Sequence, residues 1–229
     1  METTLITGAN RGIGLGLAER FIAAGHKVLA TCRHPAEAGA LQTLAQQGTL
    51  EVHALDVTDE SGVRELQQRL DGVCLDVLIN NAGVLGDHRK QSLDNMDYEQ
   101  WRMLFEVNTI APFRLIGALK GNLAMSANPR VITVSAGMAS FSRTDPGLHA
   151  YRSSKAALNK LMQVLSIELA ADGIAVCSVH PGWVQTDMSG GTGDLSVAEC
   201  AAGIYKLTSE LENEHSGRFW TWAGDELSW

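Results

Sequence analysis

A tyrosine and a lysine four residues apart, in Tyr151-Arg152-Ser153-Ser154-Lys155, open a long segment of helical apolar periodicity. Four-residue spacing on a helix puts two side chains on one face. A phenol near pKa 10 is a weak base at neutral pH, and an ammonium beside it favours the phenolate. The pair is equipped to pass a proton to or from an oxygen atom, as reduction of a carbonyl or oxidation of an alcohol requires. Such pairs are common on amphipathic helices, so the meaning of this one rests on its surroundings.

The elements that position it follow from the rest of the chain. Short apolar runs at 4–7, 27–31, 51–54, 77–80, 130–135, 175–179 and 218–221 read as strands. Helical patterns fall between them, near 12–24, 36–47, 60–70, 98–123, 150–171 and 197–211. Strand–helix alternation implies βαβ units, a parallel sheet of about seven strands and helices on both faces. The length of 229 residues suits one domain over 1–229, with no linker or repeat. The long irregular stretches 84–97, 137–149 and 183–196 each follow a strand, where this architecture binds ligands. A net charge of −8 argues against nucleic acid or an anionic membrane as partner. Cys32, Cys74, Cys177 and Cys200 are too scattered for a metal site and read as free thiols. The N-terminus has no signal-peptide pattern, which places the protein in the cytoplasm.

The first strand runs into Thr7-Gly8-Ala9-Asn10-Arg11-Gly12-Ile13-Gly14 and then a helix. Gly8 permits a tight turn, and Gly12 and Gly14 let backbone approach a pyrophosphate at the helix start. The second strand ends Thr31-Cys32-Arg33-His34 and lacks the carboxylate that would hold a ribose 2′-hydroxyl. Arg33, with Arg11 in the glycine loop, instead suits a 2′-phosphate, which favours NADP(H) over NAD(H). Asp56, before Val57, is either a turn residue or a partner for the adenine amino group. Asn80-Asn81-Ala82-Gly83 would form a second wall against the dinucleotide.

These motifs, with Asn108 inside a long helical pattern and Pro181-Gly182 after the sixth strand, come in an order that resembles the short-chain dehydrogenase/reductase family along essentially the whole chain. The stretch 151–159 and the ending 216–229 are similar to its C-factor-like and sniffer-like carbonyl reductases. The resemblance implies a Rossmann-type doubly wound α/β fold. It implies Tyr151 as proton donor or acceptor, and Lys155 as the holder of the nicotinamide ribose that also lowers the tyrosine pKa. It assigns Asn108 to a water relay, Asn81, Ala82 and Gly83 to the middle of the cofactor, and Pro181, Gly182, Val184 and Thr186 to the nicotinamide. Asn10 and Ile13 join the cofactor-binding glycine loop, and no metal is implied.

The family also places a serine after the fifth strand, the second of two in a row. Here that position is Ala136, and Ser135 matches the first. Adjacent strand residues face opposite ways, so Ser135 substitutes only through a bulge; Ser140 is another candidate donor. Met138, Phe141, His149, Trp183 and Met188 suggest an apolar pocket for a small carbonyl or alcohol substrate, and 185–195 a small flexible lid. The family's usual pairing of the long helices implies a homodimer or homotetramer. Two rival readings are a dinucleotide-binding signalling protein with little turnover, against which Tyr151, Lys155 and Asn108 together argue, and a methyltransferase, against which the missing acid after the second strand and the Tyr151–Lys155 pair argue.

Overall fold

The computed structural model describes residues 1–46 and 48–229 and runs β1 (Thr3–Thr7), α1 (Gly12–Ala23), β2 (Lys27–Cys32), α2 (Gly39–Ala45), β3 (Leu50–Ala54), α3 (Glu60–Arg69), β4 (Val77–Asn80), α4 (Tyr98–Phe105), α5 (Ala111–Leu123), β5 (Arg130–Val134), α6 (His149–Glu168), β6 (Ala175–His180), α7 (Val197–Glu210), β7 (Phe219–Thr221) and β8 (Glu226–Leu227). The strands β1, β2, β4 and β5 are buried along nearly their whole length. Burial on both faces demands a helical layer on each side, which is what continuous apolar strands signal.

The sheet order is β3-β2-β1-β4-β5-β6-β7-β8. Every neighbouring pair is parallel except β7 with β8. This is a Rossmann-type α/β sheet, and chain order reverses between β1 and β4, where such sheets open a ligand crevice. One core layer packs Leu17 and Phe21 of α1 and Ile204 of α7 on one face of the sheet. The other packs Val63 of α3, Leu115 of α5 and Leu158 and Met162 of α6 on the opposite face.

Four features depart from the sequence reading. The sheet has an eighth, antiparallel strand, β8, two residues long beyond the turn at Gly224. The irregular stretch 84–97 holds a small hairpin, Gln91–Ser92 with Asn95–Met96. The helix expected over 36–47 is a 3₁₀ turn, Pro35–Glu37, followed by the short α2; its expected end at Gln47 lies outside the described residues. The helix expected over 98–123 is broken by a π turn, Glu106–Ile110. Pro112 has no N–H to close an α-helical bond onto the Asn108 carbonyl, and the Ala111 amide bonds to Glu106, five residues back.

Candidate active site

Among the described residues, three of the seven α-helices begin with a polar side-chain cap. Asp59 caps α3, Asp97 caps α4, and Ser196 with Glu199 forms a capping box on α7. The helix after the glycine loop does not: Arg11 stands at its N-cap in extended backbone, gives no side-chain cap, and no acid lies in the first turn. Its first N–H groups stay free for an anion, with the helix dipole behind them. Gly14 shapes the same cradle. A Cβ there would lie 2.5 Å from Asn81 Nδ2 and closer still to the Gly8 carbonyl. Gly8, at φ +64°, turns the chain against Ala82. Asn10 is exposed at the rim, and Ile13 packs inward on the core. The chain's own residues thus fit a dinucleotide pyrophosphate.

The second wall is tied to the first. Asn81 Nδ2 donates to the Thr7 and Gly8 carbonyls at 2.8 and 3.2 Å. The amides of Asn81 and Ala82 both donate to Thr7 Oγ1 at 3.0 Å. Arg33 is exposed just past β2, and its charge reaches Asp56. Asp56 forms a turn with Thr58, whose backbone N–H holds the carboxyl below the usual range. Only Asp56 Oδ1 enters those bonds, at 2.9 and 2.7 Å. Val57 is buried in the core layer that holds α3 and α5. Arg11 is not free either: its Nη1 donates to Asp187 Oδ2 at 2.6 Å, across the crevice mouth. The expected phosphate partner rests on a carboxylate 176 positions away in the chain.

Tyr151 and Lys155 lie on the inward face of α6, both buried. Leu148, at the N-cap, takes a left-handed backbone at φ 54° and makes no side-chain cap. The cap comes from the hairpin instead. Gln91, fully buried, accepts the Tyr151 amide on Oε1 at 2.9 Å and donates to the Leu85 carbonyl at 2.7 Å. Sequence reasoning missed Gln91, a lone glutamine in a loop. Asn108 clamps the same region: Oδ1 accepts from the Val84 amide, and Nδ2 donates to the Val84 carbonyl and Ser154 Oγ. Its amide is thereby committed to positioning the loop after β4 and the start of α6. Lys155 Nζ donates to the Val134 carbonyl at 2.8 Å. Gly83 leaves room for both, since a Cβ there would lie 3.2 Å from Asn108 Oδ1 and 3.4 Å from Lys155 Nζ.

Burial pushes the Tyr151 phenol up to about 12 and pulls the Lys155 ammonium down to about 8. In the free protein the phenol is raised, not lowered, and burial is the cause. The phenol is therefore held protonated, ready to give its proton.

Ser135 makes no hydrogen bond to Tyr151 in this structure. Its amide continues the ladder to the Val179 carbonyl at 2.8 Å, so there is no bulge. Its Oγ is buried with no hydrogen-bond partner and does not reach Tyr151. Ala136 is the residue that packs with Tyr151 and Leu104. Ser140 Oγ is engaged elsewhere, with the Ser228 carbonyl at 2.8 Å and Ser142 Oγ at 2.7 Å.

The loop after β6 completes the crevice. Pro181 is buried, and Gly182 turns at φ +86° against Trp222. Val184 is a core residue that bridges Leu195. Thr186 caps a 3₁₀ turn, and its methyl lies 3.4 Å from where a Gly12 Cβ would sit. The 185–195 segment is braced within itself: Trp183 Nε1 donates to the Thr192 carbonyl and Gln185 Nε2 to that of Gly193, both at 3.0 Å. Of the apolar candidates, Met138 packs beside Tyr151. Phe141, His149, Trp183 and Met188 are exposed.

Residues 2–194 match the short chain dehydrogenase family. The C-signal protein of Myxococcus xanthus is 40% identical over 156 residues, 68% of this chain and 93% of its own. The carbonyl reductase Sniffer of D. melanogaster superposes with a TM-score of 0.95 at 30% identity, over the whole of both chains. The NADPH-bound carbonyl reductase from chicken fatty liver superposes with a TM-score of 0.93 at 34% identity, over 100% of this chain and 99% of its own.

Proposed function

The chain belongs to the short chain dehydrogenase family and is an oxidoreductase; from that footing we propose that it is an NADP(H)-dependent carbonyl reductase. One observation carries the reading. A buried phenol, held protonated, and a buried ammonium one helical turn away stand beside the carboxyl ends of β4 and β5, next to an uncapped helix start. The N–H groups of α1 with Gly8, Gly12 and Gly14 would hold the pyrophosphate. Arg33 would hold the 2′-phosphate and Asp56 Oδ2 the adenine amine. Gly83, Pro181, Gly182 and Thr186 would line the nicotinamide end. When bound, the cofactor supplies the hydride.

Tyr151 gives its proton to the substrate oxygen. Lys155 uses one N–H on Val134, which leaves two for the ribose hydroxyls. Asn108 and Gln91 fix the approach angle of the phenol by holding the backbone around it. The net charge of −8 and the short-chain dehydrogenase family favour a small carbonyl compound over a nucleic-acid polymer. Exposed Met103, Ile110 and Phe113 on 98–123, with Val164 and Ile167 on α6, support a homodimer or homotetramer through these helices. Four free cysteines support a reducing, cytoplasmic setting. Among the described residues no helix is long and apolar enough to cross a membrane.

The test is NADPH oxidation with a panel of aldehydes, ketones and quinones, comparing the natural protein with Tyr151→Phe. Turnover that falls about 10³-fold or more in the variant, with NADPH binding kept, is expected. Tight NADPH binding with no turnover of any panel member would favour a signalling role of the kind the name C-signal suggests for that relative.

A further inference from the structure

Among the described residues Tyr151 is the proton donor of the crevice, and Ser135 and Ser140 supply no second donor for the substrate oxygen. Ala136 fills the place beside Tyr151 with a methyl, Ser135 Oγ is buried and makes no hydrogen bond, and Ser140 is tied to the C-terminal segment. A developing oxyanion is served poorly by one hydrogen bond in a site that excludes water. A donor is nonetheless close by. Ser135 follows the last paired residues of β5 and β6, Val134 and Val179, so His180 is its neighbour across the ladder. Side chains at paired positions of parallel strands share a face, and α6 covers this one, as the Thr133 contact with Met162 shows. The imidazole of His180 leans over the turn that follows Ala136. A Cβ on Gly137 would lie 3.0 Å from its Nε2. The pair Ala136-Gly137 leaves out the side-chain bulk that would otherwise occupy this corner.

We propose that His180 is the second oxygen-binding residue of this site, its Nε2–H donating to the substrate carbonyl oxygen while Tyr151 protonates it. The inference rests on the hydride-transfer reading above. Its tautomer is set locally. The Gly182 amide donates to Nδ1 at 3.4 Å, so in a neutral ring the proton sits on Nε2. Burial, with the Arg143 charge nearby, pulls the imidazole down to about 4 and keeps it neutral at neutral pH. Nε2 has no hydrogen-bond partner among the described residues. The ring only donates a hydrogen bond and keeps its proton; the proton that the product oxygen gains comes from the phenol.

Two amide replacements separate this role from a structural one. His180→Asn keeps an acceptor for the Gly182 amide and deletes the outer donor. His180→Gln places an amide N–H near the position of Nε2 and loses the inner acceptor. On the best panel substrate, His180→Asn is expected to lower kcat by about 10²–10³-fold. His180→Gln should keep about tenfold more activity than the Asn variant, and Ala136→Ser in the Asn background should restore at least about tenfold by supplying a hydroxyl donor. NADPH binding, followed by its fluorescence, should stay within about twofold in all three, because the groups proposed above for the phosphates and ribose are on α1, Arg33 and Lys155, not His180. In ¹⁵N spectra of the natural protein, His180 should be the Nε2–H tautomer. The reverse order of Asn and Gln, absence of rescue by Ala136→Ser, or an Nδ1–H tautomer would each overturn the proposal while leaving carbonyl reduction intact. No turnover by the natural protein on any panel member would sink the enzymatic reading and this inference with it.

Discussion

Lys155→Met should stabilise the free protein at neutral pH while abolishing turnover. The side chain is 4% exposed and has one hydrogen bond, to the Val134 carbonyl. Burial lowers its pKa from 10.5 to about 8. At about 1.4 kcal/mol per factor of ten, that is a penalty of about 3 kcal/mol on the folded state whenever the amine must be charged. The sign follows from proton counts. Between about 8 and 10.5 the unfolded chain holds the proton and the folded one does not, so stability rises with pH through that window. Below it both states are charged and the full penalty applies. Removing the charge recovers about 3 kcal/mol, and the Val134 carbonyl left without a donor takes back about 1 kcal/mol. The net gain is about 2 kcal/mol near pH 7, shrinking to zero or a slight loss near pH 10. Urea unfolding of the apo protein, read by tryptophan fluorescence at both pH values, measures it. A Met variant less stable than the natural protein at neutral pH, or a gain that does not fade on alkalinisation, would refute the claim that the site stores an uncompensated buried charge. Gain of stability with loss of function marks a group held in place for chemistry, not for folding.

Two further outcomes follow from the crevice. Gly14→Ala forces a Cβ onto Asn81 and the Gly8 carbonyl, both tied into the loop, so backbone must move. A loss of about 1–3 kcal/mol in stability and at least about 100-fold in NADPH affinity is expected, by unfolding and fluorescence titration; a variant that binds normally would mean the cradle lies elsewhere. Arg33→Glu should weaken NADPH at least about tenfold and leave NADH equal or tighter in the same titration, and equal losses for both would remove Arg33 from the 2′-phosphate site.

What was legible and what was not divides along physical lines. The strands that build the crevice are apolar runs of four to six residues between glycine-rich turns, and they fall within a residue or so of their expected bounds. Their pattern is local, so sequence carries it. The strand β8 has two residues and exists because β7 offers an edge, which no local pattern records. The π turn at Asn108 needed Pro112 to be read against the residue four before it, inside a stretch that otherwise looks continuously helical. Gln91 caps α6 from a hairpin 60 positions earlier, so its role appears only once the chain is folded.

Ser135 and Ala136 show the opposite case. By strand alternation Ser135 shares the α6 face with Thr133, yet Ala136, one residue further past β5, is the one grouped with Tyr151. The register of β5 with β6 then sets His180, unremarkable in sequence, next along from the Val134–Val179 pair, with its ring against Gly137. Arg11 shows why a correct residue can stand in an unexpected arrangement. Its ion pair with Asp187 joins side chains 67% and 75% exposed. Pairs this open contribute about 0–1 kcal/mol and are screened by salt. A cofactor pyrophosphate at the start of α1, with one charge on each phosphoryl, would offer the guanidinium more charge and a bidentate partner. The carboxylate is therefore a resting partner that Arg11 can exchange, and the same exchange would release the 3₁₀ turn after Thr186 from the glycine loop.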